Sequence, residues 1–137
     1  MFRILLAGIV SLGLAACGPG AANAKQNVSL QTQDFEFAPK TIQVKAGQPV
    51  ALSMKNTGTV AHDWSIMEIP TVGDSHSSAD PSGHAMEGME EPEVHVAVAP
   101  GTTGRLEFTP STAGTYEFYC TVAGHRDLGM TGQLVVQ

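Results

Sequence analysis

The chain has few charged residues, few cysteines and no long hydrophobic run. Charged residues make up 15% of its 137 residues, and the formal net charge is −6 without any basic cluster, which argues against a nucleic-acid partner. The main apolar run, residues 4–15, has twelve residues, whereas a helix that spans a bilayer needs about 20. The sequence therefore argues against a nucleic-acid-binding protein and against a membrane-spanning amino-terminal helix.

The first seventeen residues have the pattern of an export signal. Arg3 provides the positive end, and the apolar run ends in Leu14-Ala15-Ala16-Cys17, which resembles the lipobox of bacterial lipoproteins. We therefore expect a lipoprotein signal peptide at 1–16, acylation of Cys17 and a lipidated tether at 17–26. The protein would then lie outside the cytoplasm, in the periplasm or on the cell surface, anchored to a bacterial membrane. An ordinary secretory peptide, with Cys17 incidental, is the alternative.

The remaining residues, 27–137, have the length and pattern of one all-β domain. Short alternating runs recur at intervals of roughly ten residues, with glycine and proline between them, and this spacing predicts a β-sandwich. The clearest runs are 27–32, 35–37, 41–45, 49–55, 94–98 and 105–109.

Residues 114–136 contain three potential metal ligands within eleven residues: Cys120, His125 and Met130, separated by gaps of four residues each. Alternation predicts a strand that leads into Cys120 and a second strand at 133–136, with a glycine-rich loop between them. Two histidines, one cysteine and a weak axial methionine form the blue-copper type of centre. The best upstream candidate for the second histidine is His62, at the start of a strand-like run.

The scarcity of cysteine supports a metal-bound thiol. With Cys17 acylated, Cys120 can form no internal disulfide. An unpaired thiol outside the cytoplasm is open to oxidation, and ligation to a metal protects it.

The pattern Gly-x-Tyr-x-Phe-x-Cys-x4-His-x4-Met, together with an upstream Asn-x5-His segment, resembles the cupredoxin family over residues 34–136. The gaps are most similar to the auracyanin type, with plastocyanin and azurin more distant. The resemblance implies a Greek-key β-sandwich that holds one type 1 copper. His62, Cys120 and His125 would form the trigonal plane, and Met130 would be the axial ligand.

The resemblance also implies electron transfer between Cu(I) and Cu(II), without enzymatic activity. The expected partners are respiratory or photosynthetic: a donor such as a quinol-oxidising complex, and an acceptor such as a cytochrome, an oxidase or a reaction centre. We expect a monomer in which the ring edge of His125 approaches the surface, inside an uncharged patch with Val60 and Leu128. Copper oxidases and nitrite reductases need further domains and ligands that this sequence lacks.

One position departs from the family. An asparagine commonly follows the upstream histidine there and bonds to the residue after the cysteine, whereas this chain has Asp63 and Thr121 at those positions. The carboxylate can still accept a hydrogen bond from the Thr121 hydroxyl or backbone N–H. A negative charge so close to copper would favour the oxidised state.

Residues 73–93 are polar and acidic, and we interpret them as a long surface loop. The segment also contains His76, His84, Met86 and Met89. Because thioethers and imidazoles suit Cu(I), a copper-scavenging or copper-delivery lipoprotein is the alternative function. His95, just beyond this segment, is expected to be structural.

Overall fold

The computed structural model describes residues 24–78 and 91–137, and those two ranges contain ten β-strands and no helix. The strands are β1 Gln26–Gln33, β2 Glu36–Ala38, β3 Thr41–Val44, β4 Val50–Asn56, β5 His62–Ile66, β6 His76–Ser78, β7 Val94–Val98, β8 Thr103–Phe108, β9 Gly114–Tyr119 and β10 Thr131–Val136. Within the described ranges, accordingly, no helix has the length and apolar character that crossing a membrane requires. The expected signal peptide and most of the tether lie outside the described residues.

The strands form two five-stranded sheets, in the orders β2-β1-β4-β8-β6 and β3-β10-β9-β5-β7. Both sheets are mixed, because β1 runs parallel to β4 and β3 runs parallel to β10, while the other paired strands are antiparallel. Buried apolar side chains from both sheets form one core. The predicted all-β sandwich is confirmed.

The burial pattern differs between the strands. Strand β8 alternates exposed and buried residues along its length, because successive side chains of a strand point to opposite faces. Strand β5 lies between β9 and β7 and is buried at every residue, so both of its faces are covered. The segment that carries His62 is thus enclosed on all sides.

Three aromatic rings fix the centre of the core. The rings of Trp64 and Phe118 lie 5.3 Å apart, and Phe37 meets Phe118 edge-on at 5.4 Å. All three side chains are at most 1% exposed. Replacing such a ring with alanine typically costs about 3–5 kcal/mol. Trp64 lies two residues after His62 on β5, and Phe118 lies two residues before Cys120 on β9. The packing of the two rings therefore also fixes the strand ends next to His62 and Cys120.

Two details differ from the sequence prediction. Phe35, expected in a strand, lies in the turn between β1 and β2. Strand β6 lies inside the segment 73–93 that was predicted as a loop, and it pairs with β8 so that His76 faces Glu107 in the register. The residues of β6 are all polar, so the strand shows no alternation of apolar and polar residues. An edge strand can pair through its backbone hydrogen bonds without such a pattern. Residues 79–90 of the predicted loop lie outside the described residues.

Candidate metal centre

The ends of three strands bring the predicted ligands to one end of the second sheet. Strand β5 begins at His62, β9 ends directly before Cys120, and β10 begins directly after Met130. Strands β5 and β9 pair through Ser65 and Tyr119. The chain positions that carry the four side chains are therefore set by the sheet.

Backbone hydrogen bonds close the 120–130 loop on itself. Cys120 N–H donates to Met130 O at 3.2 Å, Met130 N–H donates to His125 O at 3.1 Å, and His125 N–H donates to Val122 O at 3.0 Å. Gly124 and Gly129 have φ values of 82° and 92°, which glycine adopts without the steric penalty of a side chain. The loop thus holds its shape through its own hydrogen bonds.

His62, Cys120 and His125 form a buried donor group. Each offers one potential ligand atom, and these atoms lie within 4.8 Å of one another. Cys120 Sγ is 3.4 Å from His125 Nδ1, and the two imidazole centroids are 5.0 Å apart. Met130 is fully buried, and its backbone bonds to both Cys120 and His125. The structure thus brings the three residues of the donor group together. The two backbone bonds hold Met130 next to Cys120 and His125.

The protonation of the donor group fits a soft metal ion. Burial, together with the neighbouring His125, lowers the pKa of His62, so its ring is neutral at pH 7. Burial raises the pKa of the Cys120 thiol to about 12, and Asp63 adds to the rise. Neither ring nitrogen of His62 has a hydrogen-bond partner among the described residues, although both are buried. Such orphaned atoms are rare in native structures, and a metal ion would satisfy one of them.

The donor chemistry favours copper. A thiolate and imidazoles are soft or borderline ligands, whereas magnesium and calcium prefer oxygen. Copper, which accepts sulfur and imidazole nitrogen and a weak thioether, fits this set.

Asp63 joins the two parts of the centre. Its Oδ1 accepts the Thr121 N–H at 2.6 Å, and its Oδ2 accepts the Thr121 hydroxyl in a short hydrogen bond. Its own N–H donates to Cys120 Sγ at 3.5 Å. Both bonds considered from the sequence are thus present, because the carboxylate of Asp63 points across to the 120–130 loop.

His95 is the second partner of that carboxylate. Its Nε2 lies 3.8 Å from Asp63 Oδ2. Burial would raise the pKa of Asp63, but His95 and the bonds from Thr121 outweigh it and hold the pKa below the usual value of a carboxyl. Sequence reasoning assigned His95 a structural role and missed this contact, which arises because Ser65 on β5 pairs with His95 on β7.

Asn56 shapes the turn that precedes His62. Its buried side chain donates to Val60 O at 2.8 Å and to Val98 O at 3.2 Å, and it accepts the Gly58 N–H at 2.8 Å. The sequence motif contained Asn56 but gave it no role. A buried amide with three bonds to the backbone fixes the direction in which the chain enters β5.

Phe35 covers His125 and was missed as a site residue. Its ring meets the imidazole edge-on at 4.9 Å, and its φ of 67° is left-handed, which for a bulky residue costs about 1–3 kcal/mol. His125 is 8% exposed, less than the sequence suggested. Val60 and Leu128 are 40% and 62% exposed, and the charged residues Arg126 and Asp127 beside His125 are exposed as well. A positive φ at an aromatic residue leaves no signal in the sequence.

Of the other potential copper ligands, the structure describes His76 alone. His76 is exposed on β6, in the first sheet. His84, Met86 and Met89 lie outside the described residues.

Comparison with known proteins agrees with this geometry. A family model described as a cupredoxin-like domain matches residues 4–136. A copper-resistant cuproprotein, CopI of Rubrivivax gelatinosus, is 31% identical over 127 residues, which cover 87% of this chain and 72% of that protein. Auracyanin-A of Chloroflexus aurantiacus is 28% identical, with 93% of this chain and 90% of that protein covered. The solved structure of auracyanin A, a "blue" copper protein from the same bacterium, matches with a TM-score of 0.64 and 23% identity. The match covers 83% of this chain and all of that one.

Uptake of a soft metal ion should release the thiol proton. Because burial raises the pKa of Cys120 to about 12, the metal-free protein carries the neutral thiol at pH 8, whereas a ligating sulfur is a thiolate. We expect release of about one proton per Cu(I) at pH 8 and an apparent affinity that rises about tenfold per pH unit. A pH-stat titration measures the proton, and Cys120→Ser, which has no such thiol, is the control. Uptake by the wild type without proton release would exclude Cys120 as a ligand.

Proposed function

This chain belongs to the cupredoxin-like family, and we propose that it is an electron carrier with one copper ion held by His62, Cys120, His125 and Met130. The observation that carries the proposal is the buried donor group, whose three ligand atoms lie within 4.8 Å of one another. Copper bound there supplies a one-electron couple between Cu(I) and Cu(II). Cupredoxins are electron carriers and generally have no enzymatic activity, and we propose none for this chain.

The residues of the chain keep the donor atoms fixed and dry. His62, Cys120 and Met130 are each 0% exposed, so bulk water does not reach their donor atoms. Backbone bonds within the 120–130 loop and the Thr121–Asp63 bonds hold these residues independently of any metal. A site fixed in this way rearranges little when the charge at its centre changes, which favours rapid electron exchange.

The surface above His125 offers the shortest route to a partner. Phe35, Val60 and Leu128 are exposed there and apolar. Apolar side chains of this kind suit weak, brief docking between redox proteins. We propose that a monomer docks through this surface with a donor such as a quinol-oxidising complex and an acceptor such as a cytochrome, an oxidase or a reaction centre.

The amino-terminal sequence supports a position at a membrane outside the cytoplasm. We propose that residues 1–16 are a lipoprotein signal peptide, that Cys17 carries the lipid and that residues 17–26 tether the domain 27–137. Two or more acyl chains would give stable anchoring, since a single chain binds a bilayer only marginally.

A copper-handling role is the second candidate function, and one observation favours it. The relative at 31% identity is named a copper-resistant cuproprotein, and this chain carries His76, His84, Met86 and Met89 between β5 and β7. In this alternative, those residues collect Cu(I) or pass it to an acceptor protein. Strand β6 places His76 in the first sheet, whereas the donor group lies at the strand ends of the second sheet.

Substitution of Met130 tests the electron-carrier proposal. The wild type with one equivalent of Cu(II) should show the intense visible band of a thiolate–copper bond. Met130→Leu should keep the colour and raise the reduction potential, because an axial thioether stabilises Cu(II) more than Cu(I). Met130→Gln should lower the potential, since an amide oxygen is a better donor to Cu(II). Voltammetry should therefore give the order Leu, Met, Gln from high to low. An unchanged potential in Met130→Leu would remove Met130 from the ligand set.

Deletion of the His/Met segment distinguishes the two candidate functions. Replacing residues 79–90 with a short Gly/Ser linker removes His84, Met86 and Met89 and keeps all ten strands of the described ranges in the sequence. For an electron carrier, the variant should keep the visible band and its electron-exchange rate with a small redox protein. Titration with Cu(I) should then give one copper in both forms. A second, tightly bound copper that only the wild type hands to an acceptor would favour copper delivery.

Cys17→Ser tests the lipid anchor. The variant should be soluble and should bind copper as the wild type does, because the anchor and the metal site are separate parts of the chain. Detergent-phase partitioning after expression in a bacterium measures the anchor. If the wild type also partitions into the aqueous phase, Cys17 is not lipidated.

A further inference from the structure

The turn between β1 and β2 contacts both histidines of the donor group. This two-residue turn consists of Asp34 and Phe35, because Gln33 pairs with Glu36 across the hairpin. Asp34 faces His62, and the ring of Phe35 lies against His125. The turn is distant in the chain from β5 and from the 120–130 loop, which carry the proposed ligands.

The Asp34 carboxylate is held in place by a second turn. Its Oδ1 accepts the Thr59 N–H at 2.9 Å, and its Oδ2 accepts the Thr59 hydroxyl at 2.9 Å. Gly58 permits this close packing, because a Cβ there would lie 2.5 Å from Asp34 Oδ1. The carboxylate is therefore anchored, although its side chain is 41% exposed.

The anchored carboxylate lies beside an orphaned histidine nitrogen. Asp34 Oδ1 is 3.7 Å from Nε2 of His62, which is longer than a hydrogen bond, and Nε2 has no hydrogen-bond partner among the described residues. A neutral imidazole that binds a metal through one nitrogen carries its proton on the other. That buried N–H needs an acceptor, and metal-bound histidines commonly donate it to a carboxylate.

We propose that the Asp34-Phe35 turn positions both histidines for copper: Asp34 accepts the Nε2–H of His62, which leaves Nδ1 for the metal, and the Phe35 ring holds the imidazole of His125 from the outside. The inference rests on the proposed copper site. The left-handed backbone of Phe35 then has a role, because this conformation directs the Phe35 ring onto His125 while Asp34 faces His62.

Substitutions of Asp34 test the first half of the proposal. Asp34→Ala should lower the Cu(I) affinity by about 10- to 100-fold, as measured by competition with a chelator of known affinity. Asp34→Asn keeps an oxygen acceptor and should recover most of that loss. Glu36→Ala is the matched control, because it removes the same charge two residues away, from a side chain that pairs with Lys40. Its affinity should stay close to that of the wild type.

Nitrogen-15 NMR of the Cu(I) protein reports the same contact directly. In the wild type and in Glu36→Ala, His62 should bind through Nδ1 and show an Nε2–H that exchanges slowly with water. In Asp34→Ala, that proton should exchange rapidly. Binding through Nε2 in the wild type, or equal affinity losses in Asp34→Ala and Glu36→Ala, would overturn the assignment.

Phe35→Asn tests the second half. Asparagine tolerates the left-handed conformation, so the stability of the metal-free protein to urea should not fall. Copper affinity should nevertheless drop. In the Cu(I) protein, the ring N–H of His125 should also exchange faster with water. Val72→Asn, at an exposed apolar residue whose backbone N–H donates to Thr109 O, should change neither quantity. Unchanged His125 signals in Phe35→Asn would refute this role. If the wild type itself takes up no copper, the proposed function fails, whereas equal uptake by all variants refutes the turn's role alone.

Discussion

The hydrogen bonds between Thr121 and the Asp63 carboxylate are the constraint on which the rest of the centre depends. They join segments that are 58 residues apart in the chain, where the ladder between β5 and β9 consists of the single pair Ser65 and Tyr119. A hydrogen bond to a charged group contributes about 1.5–3 kcal/mol. A buried carboxylate needs such compensation, and Nε2 of His95 on the neighbouring strand also lies 3.8 Å from its Oδ2. The imidazole of His62 and the thiol of Cys120 are adjacent because this link holds.

The centre combines features that are individually unfavourable. The nitrogens of His62 are buried without hydrogen-bond partners among the described residues, and Phe35 has a left-handed backbone. Local strain and unsatisfied polar groups persist only where the surrounding structure compensates for them, and they concentrate at functional sites. Here the compensation comes from the aromatic core around Trp64 and Phe118, which packs immediately behind the donor group. The stability of the sandwich thus supports a site that would not be stable by itself.

Much of this arrangement was predictable from the sequence, for a physical reason. Cys120, His125 and Met130 lie in one short loop, so their spacing is a local signal, and strand alternation records which face is buried. His62 needed the family resemblance as well, because nothing local relates it to Cys120. Phe35, Asn56 and His95 were missed as site residues because their roles arise from contacts between distant segments. Strand β6 was missed because an edge strand can be stabilised by backbone pairing without an apolar pattern.

Strand β6 and strand β7 each end a sheet, and they belong to different sheets. None of the four proposed copper ligands lies on either of these strands. Insertions and deletions between these two strands need not disturb the packing or the donor group. A change in the length or composition of this connection would therefore leave the strands that carry the donor group as they are. For protein engineering, this connection is the natural point at which to graft a foreign peptide.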